Sequence, residues 1–208
     1  MENEELKKYK KAGKIGSDVR EWSKKLIKPG AKALDVAEAI EKKIKDSGAG
    51  IAFPCNVSLN DVAAHYTPFA KDPLVFSEND LVTIDLGAHV DGYISDTAYT
   101  IDLSGENGNL VEASEAGLEA AISTIKAGVS VSKIGEAVEK AIRARGFKPI
   151  ENLTGHQLGE YQLHGSLAIP NIKVPFDKKV EEGQVFAIEP FATNGRGRVI
   201  EGNRTEIY

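Results

Sequence analysis

The stretch LVTIDLGAHVDGYISDTAYT, residues 81–100, decides the fold of this 208-residue chain. Its central Asp91-Gly92 dipeptide is typical of a two-residue hairpin turn, and the flanking residues are apolar, aromatic or β-branched. A turn at this dipeptide places Asp85 and Asp96 on one face as diagonal neighbours, close enough to share a ligand. The cross-strand pairs on which this placement depends are Asp85 with Ala98 and Gly87 with Asp96.

Two ionised carboxylates in an apolar hairpin repel each other and lose hydration. Such a pair persists if it shares a proton, if cations neutralise it, or if its face is solvated. Metal binding is the more specific interpretation of Asp85 and Asp96. In the alternative, one aspartate caps a turn and the other lies on an exposed edge. The hairpin by itself leaves both interpretations open.

The composition is that of an ordinary globular protein, with 41% hydrophobic and 27% charged residues. A net charge of −5 argues against a nucleic-acid surface, and the basic run at residues 5–11 is typical of a solvated helix face. No apolar stretch approaches the roughly 20 residues that a membrane span needs. The N-terminus lacks the apolar core of a signal peptide, and a single cysteine excludes an intramolecular disulfide. We therefore expect a cytoplasmic protein with no nucleic-acid or membrane partner.

The sequence contains an internal repeat with an offset of 98 residues. Residues 27–48, IKPGAKALDVAEAIEKKIKDSG, match residues 125–146, IKAGVSVSKIGEAVEKAIRARG, at nine of 22 positions. Apolar residues recur at i, i+4 and i+8 in both copies, which predicts an amphipathic helix in each. Each copy follows a longer helix that we expect to end near Pro29-Gly30 or Ala127-Gly128, because glycine favours helix ends.

The repeat and the hairpin together predict an α+β fold. We expect a single domain over residues 1–208, with pseudo-repeats of about residues 1–108 and 109–208 related by a pseudo-twofold axis. Two helix pairs, one from each repeat, then back a central, curved and mostly antiparallel sheet.

The second repeat also places a carboxylate in an apolar strand. A strand predicted over residues 184–191 contains Glu189, and the symmetry brings it to the axis with the hairpin carboxylates. The symmetry also calls for a mate on a following strand. The later carboxylates, Glu201 and Glu206, lie in polar, glycine- and arginine-rich sequence and are interpreted as loop charges. We therefore expect that a strand is absent.

His156 lies in the segment TGHQLG, residues 154–159, where flanking glycines allow a close approach of the backbone. Taken alone, it is more simply interpreted as a turn histidine. Together with Asp85, Asp96 and Glu189 it makes a set of three carboxylates and one imidazole. This set suits a pair of hydrolytic divalent ions such as Mn, Fe, Co or Zn, and not a structural zinc, which favours cysteines. Two such ions about 4 Å apart bind a bridging hydroxide and polarise a carbonyl.

The order of these residues resembles the pita-bread metallopeptidases, which share the creatinase/aminopeptidase fold. The matching motifs are IDLG at 84–87, Asp96, Gly155-His156 and AIEP at 187–190. Within that family, GIAFP at 50–54 and AAHYTP at 63–68 resemble the type 2 methionine aminopeptidases, and the short segment before the first helix resembles their archaeal form. The resemblance runs along essentially the whole chain.

The resemblance implies a role for each candidate metal ligand. Asp85 would ligate one divalent ion, and Asp96 would bridge both. His156 and Glu189 would ligate the other ion. Two divalent ions, Co, Mn, Fe or Zn, are the implied cofactors.

The resemblance also implies an activity, removal of the initiator methionine from nascent chains whose second residue is small. A metal-bridged hydroxide would attack the first carbonyl carbon. His65 would lie beside the scissile peptide and assist orientation and proton transfer, and His164 would hydrogen-bond the substrate. Phe53 would help to line the methionine pocket. For His65 the simpler alternative is a core or loop histidine, and for Phe53 it is plain core.

Two further residues near this set are interpreted as structural. His89 lies in the hairpin, but the resemblance gives it no catalytic role. Cys55 has no base placed beside it, so a small buried hydrophobe is the expected state.

The chain also departs from the family pattern. In the family a last glutamate bridges both metals, and in type 2 enzymes it follows a helical insertion after the Glu189 strand. This sequence ends where that insertion should begin, so we expect a site lacking its fifth ligand, with weak metal binding and little activity. A second chain that carries the missing part is one explanation, and a truncated chain is another.

Two rival functions stay open. An Xaa-Pro dipeptidase shares the fold and the ligand set, although the His65-Tyr66-Thr67-Pro68 segment disfavours it. A non-catalytic pita-bread binding protein would have lost its ligands, whereas four ligands of the expected types are present here.

Overall fold

The computed structural model describes residues 1–202. Its four α-helices are α1 (Asn3–Ser23), α2 (Ala33–Asp46), α3 (Gly108–Thr124) and α4 (Val131–Arg143), and a 3-10 helix, Lys24–Leu26, follows α1. Its strands are β1 (Gly50–Leu59), β2 (Leu81–Val90), β3 (Tyr93–Asp102), β4 (Lys148–Pro149), β5 (Thr154–Leu158), β6 (Ala168–Pro170), β7 (Val185–Ala187) and β8 (Ala192–Thr193). Glu201 is exposed and outside these elements, and the other predicted loop charge, Glu206, lies outside the described residues.

Contacts divide the chain into two compact units. The first consists mainly of Met1–Asn107 and Gly159–Leu163, and the second of Gly108–Leu158 and His164–Glu201. Each unit contains one pair of long helices followed in sequence by strands. The helix pairs therefore follow the internal repeat.

The first unit is built on the antiparallel sheet β1-β2-β3. Helices α1 and α2 pack against it. The predicted stripe of α2, Val36, Ile40 and Ile44, is buried and joins a core that includes Ile84 and Leu86 of β2. Burying this stripe is what holds α2 on the sheet, since isolated helices of this length are marginal in water.

The second unit repeats this arrangement with shorter strands. The stripe of α4, Ile134, Val138 and Ile142, is fully buried in a second core. Helix α4 also packs against β6, in the antiparallel sheet β6-β5-β7. The N-terminus of α4 is capped by Ser130, whose hydroxyl accepts a hydrogen bond from the Ser132 backbone N–H.

The turn before α2 and the turn before α4 make the same backbone hydrogen bonds. In each, a glycine N–H and the first helical N–H donate to carbonyls two residues apart in a later segment of the same unit. The bonds are Gly30 N to Phe76 O (2.8 Å) and Ala33 N to Leu74 O (2.9 Å), and Gly128 N to Val180 O (2.7 Å) and Val131 N to Lys178 O (2.9 Å). The similarity of the two sequence segments thus extends to their main-chain contacts.

The predicted helix ends were wrong by several residues. Helix α1 and its 3-10 extension end at Leu26, and α3 ends at Thr124. Gly30 and Gly128 lie further on, in the turns that lead to the next helix, with φ of 83° and 85°. Their left-handed conformation is the reason that glycine stands there.

The α+β prediction is confirmed, because along the described chain each pair of helices is followed by a separate run of strands, and the paired strands are antiparallel. The strands of residues 1–202 form three hydrogen-bonded sheets, where one central sheet was expected. Strands β4 and β6 each end at a proline, which lacks the N–H needed to continue a ladder. Among the described helices, none combines the length and the apolar character required to cross a bilayer.

Asp80 gives the first unit a pH-dependent stability. Burial opposes its ionisation and is the largest single effect, but hydrogen bonds from Ser77 and the Asn60 amide together outweigh it and lower the pKa of Asp80. A lowered folded-state pKa gives stability that is present above the unfolded value of about 3.9 and is lost as the pH falls through the folded value.

We therefore expect the free energy of unfolding to fall on acidification from about pH 6 to about pH 3, and to fall less in Asp80→Asn. At about pH 6 the variant should be less stable by roughly 1–3 kcal/mol, since hydrogen bonds to a charged acceptor are lost. Urea unfolding at the two pH values measures both effects. An equal acid-induced loss in the two proteins would show that Asp80 does not contribute.

Candidate metal centre

The hairpin of the first unit has the predicted register. Asp91 and Gly92 occupy the turn with φ of 49° and 86°, as a type I′ turn requires. Asp85 pairs with Ala98, and Asp96 pairs with Gly87, without a bulge between β2 and β3. Because side chains alternate along a strand, Asp85 and Asp96 lie on one face as diagonal neighbours.

The same face of β1 carries Phe53. It pairs with Gly87, and a Cβ on Gly87 would lie 2.3 Å from Cε1 of the Phe53 ring. Gly87 therefore makes room for this ring beside the two carboxylates. The pairing of β1 with β2 shifts register on both sides of Phe53. As a result, Asn56 is the residue opposite Asp85.

A cavity of about 190 Å³ lies at the turn end of this hairpin. It is lined by Ile51, Ala52, His89, Gly92, Ile94, Tyr161 and Leu163. His89 and Ile94 form the cross-strand pair next to Gly87 and Asp96 on the carboxylate face. The cavity thus adjoins the face that carries the carboxylates, and its lining combines apolar side chains with those of His89 and Tyr161.

In the second unit, β5 presents His156 to Glu189. The imidazole Nε2 lies 2.8 Å from Oε1 of Glu189, and His156 is buried. Both side chains offer donor atoms suited to a metal ion. Gly155 allows this arrangement, because a Cβ there would lie 2.3 Å from the Ala187 carbonyl oxygen of β7.

The strand predicted around Glu189 is shorter than expected. Strand β7 ends at Ala187, which pairs with His156, and Glu189 lies two residues beyond it. Pro190 follows and cannot donate to a ladder. The Asn171 side chain instead holds this segment, donating from Nδ2 to the carbonyls of Glu189 (2.8 Å) and Leu153 (2.9 Å).

His164 lies next to His156 in the second unit. The two rings meet edge to face, with centroids 4.4 Å apart. Backbone hydrogen bonds hold the returning chain, since Gly165 N donates to Gln157 O at 2.7 Å and Gln157 N donates to Leu167 O at 2.8 Å. In this unit the structure therefore brings together three of the predicted site residues, namely His156, His164 and Glu189.

His65 lies outside the strands, in the segment that follows β1. It is exposed and has φ of 67°, a left-handed conformation that is uncommon for residues other than glycine. The next residue is anchored, because the carbonyl of Tyr66 accepts a hydrogen bond from Val57 N at 2.7 Å.

His89 and Cys55 have surroundings that suit structural roles. Nδ1 of His89 accepts a hydrogen bond from the Gly92 N–H at 3.1 Å, which ties the ring to the hairpin turn. Cys55 is 1% exposed, and burial, with the nearby charges of Glu41 and Asp85, raises the pKa of its thiol. A thiol with a raised pKa is a poor nucleophile at neutral pH.

The donor chemistry of both units fits divalent cations. The hairpin presents two carboxylates on one face, and the second unit presents an imidazole nitrogen and a carboxylate oxygen that already converge. Oxygen donors with a single nitrogen suit Mn, Fe, Co or Zn in hydrolytic sites.

Sequence reasoning missed Asn56 and Asn171, which no motif marks because their roles depend on partners distant in the chain.

The sequence matches the model of metallopeptidase family M24 over residues 7–206. The chain belongs to this family. Among its M24 relatives, the methionine aminopeptidase of Pyrococcus horikoshii is 52% identical over 205 residues, which cover 98% of this chain and 70% of that protein. The predicted resemblance to the archaeal methionine aminopeptidases is thereby confirmed.

Solved structures agree with the M24 assignment. The methionine aminopeptidase of Thermotoga maritima superposes with a TM-score of 0.90 at 29% identity, over 98% of this chain and 85% of that one. The prolidase of Pyrococcus furiosus superposes with a TM-score of 0.78 at 25% identity, over 91% of this chain and 56% of that one. The pita-bread fold expected from the sequence is confirmed by these similarities.

Proposed function

We propose that this protein is a metalloaminopeptidase that removes the N-terminal methionine from chains with a small second residue. The observation that carries the proposal is that about half of the residues are identical to those of methionine aminopeptidases over nearly the whole chain. The proposed substrates are the N-termini of nascent polypeptides, and a protein that acts on them works in the cytoplasm.

We propose Asp85, Asp96, His156 and Glu189 as the ligands of two divalent ions, Co, Mn, Fe or Zn. The family and the donor types support this assignment. When bound, such ions supply Lewis acidity and lower the pKa of water. The four side chains would hold the positive charge in place, and the three carboxylates among them would balance most of it.

The histidines of the proposal act on the peptide. His65 accepts or returns a proton near the scissile bond, and His164 donates a hydrogen bond to the substrate backbone or carbonyl. The contact between His164 and His156 supports a place for His164 next to a metal ligand.

Phe53 and the neighbouring cavity support methionine as the first residue of the substrate. Phe53 lies on the carboxylate face, and the cavity of about 190 Å³ that adjoins this face includes Ile51, Ile94 and Leu163 in its lining. A flexible thioether side chain fills an irregular apolar space well and makes favourable contacts with aromatic rings.

Two other functions have less support. The similarity to a prolidase is lower in both identity and TM-score than the similarity to a methionine aminopeptidase, which disfavours an Xaa-Pro dipeptidase. A non-catalytic binding role is disfavoured by the presence of all four ligand side chains and of both histidines.

Parallel hydrolysis assays test the proposal. With added Mn²⁺ or Co²⁺, we expect the protein, together with the C-terminal part or second chain that supplies the fifth ligand, to release methionine from Met-Ala-Ser and to leave Met-Lys-Ser and Ala-Pro largely intact. Release from Ala-Pro in preference to Met-Ala-Ser would establish the dipeptidase instead. If neither peptide is cleaved while Mn²⁺ binds stoichiometrically, the enzyme proposal is wrong and a binding role leads.

A further inference from the structure

Asp72 is a buried carboxylate for which the proposed reaction has no use. It lies between β1 and β2 in the first unit and is 5% exposed. Its Oδ2 accepts hydrogen bonds from the Tyr66 hydroxyl at 2.8 Å and from the Phe69 N–H at 3.4 Å. Its Oδ1 accepts from the Leu74 N–H at 2.9 Å. These three hydrogen bonds connect the Asp72 carboxylate to residues along the loop of residues 66–74.

Burying a carboxylate is costly unless its charge is met by donors, and here three donors meet it. Two backbone anchors fix the loop at its ends. Val57 N donates to the Tyr66 carbonyl at 2.7 Å, and Ala33 N donates to the Leu74 carbonyl at 2.9 Å. Tyr66 is therefore held twice, through its carbonyl to β1 and through its hydroxyl to Asp72.

His65 directly precedes this doubly held residue. Its left-handed backbone, with φ of 67°, costs about 1–2 kcal/mol for an L-residue and persists only where the surroundings enforce it. His65 is exposed, so burial of its own side chain does not provide this constraint. The two hydrogen bonds of Tyr66 lie one residue away.

We propose that Tyr66 and Asp72 are positioning residues for His65. The hydrogen bond from the Tyr66 hydroxyl to Asp72 fixes the loop so that the backbone of His65 keeps its left-handed conformation. The imidazole is then presented in one orientation. The consequence for catalysis rests on the proposed function, but the positioning itself does not.

Histidine NMR tests the positioning directly, because the chain has four histidines. Their imidazole resonances are assigned by substituting each histidine in turn. We expect Tyr66→Phe to shift or broaden the His65 resonance and to leave those of His89, His156 and His164 in place. Asp72→Asn should act on the same resonance, since it weakens the acceptor of the Tyr66 hydroxyl.

Tyr99→Phe is the matched control. It removes a hydroxyl of the same unit that also makes a hydrogen bond of 2.8 Å, but to Ser23 of α1. We expect it to leave the His65 resonance unchanged. Circular dichroism establishes that each variant is folded. An unchanged His65 resonance in folded Tyr66→Phe, or a change spread equally over all four histidines, would overturn the proposal.

A double-mutant cycle tests the catalytic consequence. We expect Tyr66→Phe to lower kcat for Met-Ala-Ser roughly tenfold with little change in KM, because misplacing a catalytic group by a fraction of an ångström is costly. In a His65→Ala background the same change should have no further effect. An undiminished effect there would show that Tyr66 does not act through His65. If His65→Ala itself leaves kcat unchanged, the proposed role of His65 fails, while the NMR result still decides the positioning.

Discussion

Replacing Asp96 with asparagine is expected to lower both the affinity for Mn²⁺ and the rate of Met-Ala-Ser hydrolysis by at least about 100-fold. Mutating a residue that only hydrogen-bonds to a metal ligand already costs roughly 10–100-fold in metal affinity or activity, and the loss of a ligand should cost more. Asparagine keeps the size and shape of the side chain but removes its negative charge. In the proposed centre Asp96 would help to hold the cations, so its loss would leave positive charge uncompensated. Isothermal titration with Mn²⁺ measures the affinity, and peptide release measures the rate.

Asp91→Asn is the matched control for this change. Asp91 belongs to the same hairpin, but its side chain is 70% exposed and pairs with Lys8 at 3.1 Å on the surface. Exposed ion pairs contribute little, and asparagine tolerates the left-handed conformation of this turn position. We expect near-normal affinity and rate. Tight Mn²⁺ binding by Asp96→Asn would mean that Asp96 is not a ligand.

The hairpin could be predicted from sequence because its determinants are local. Asp91-Gly92 accepts the two left-handed conformations of the turn, and strand alternation then fixes the faces of Asp85 and Asp96. The buried apolar stripes of α2 and α4 could also be predicted, because residues on one face of a helix recur about every 3.6 positions. Neither inference needed knowledge of the rest of the chain.

The details around Glu189 could not be predicted in this way. The apolar residues near it suggested a strand, but β7 ends at Ala187. What holds the Glu189 carbonyl is Asn171, a residue 18 positions away that no spacing rule connects to it. Asp72 was missed for the same reason, because its role depends on the folded loop around it. Long-range polar contacts of single side chains leave no period in a sequence.

Substituting Gly155 with alanine is expected to destabilise the protein by about 1–3 kcal/mol, the usual cost of overpacking. A Cβ at this position would lie 2.3 Å from the Ala187 carbonyl oxygen and 3.1 Å from the Ile188 Cα. Both are backbone atoms, which cannot rotate away as a side chain can. Strands β5 and β7 must therefore separate where His156 pairs with Ala187.

The same substitution is expected to weaken the proposed metal centre. Glu189 follows Ala187 by two residues, so a displacement of β7 also moves the Glu189 carboxylate. In the unsubstituted protein this carboxylate lies 2.8 Å from the His156 imidazole. We expect Mn²⁺ affinity to fall at least tenfold, since ligands must be held within about 0.5 Å of their productive positions. Urea unfolding measures the stability, and Mn²⁺ titration of the folded variant, without urea, measures the affinity.

Gly159→Ala separates this effect from a general intolerance of alanine near His156. The atom closest to a Cβ at Gly159 is Oε1 of the Gln162 side chain, at 3.1 Å. That side chain can turn aside, so we expect the unfolding free energy to change by less than about 0.5 kcal/mol, as for ordinary surface substitutions. If Gly155→Ala were as stable as Gly159→Ala and bound Mn²⁺ normally, the position of β7 would not depend on its close packing against β5 at Gly155. The glycine before His156 would then have no part in placing Glu189.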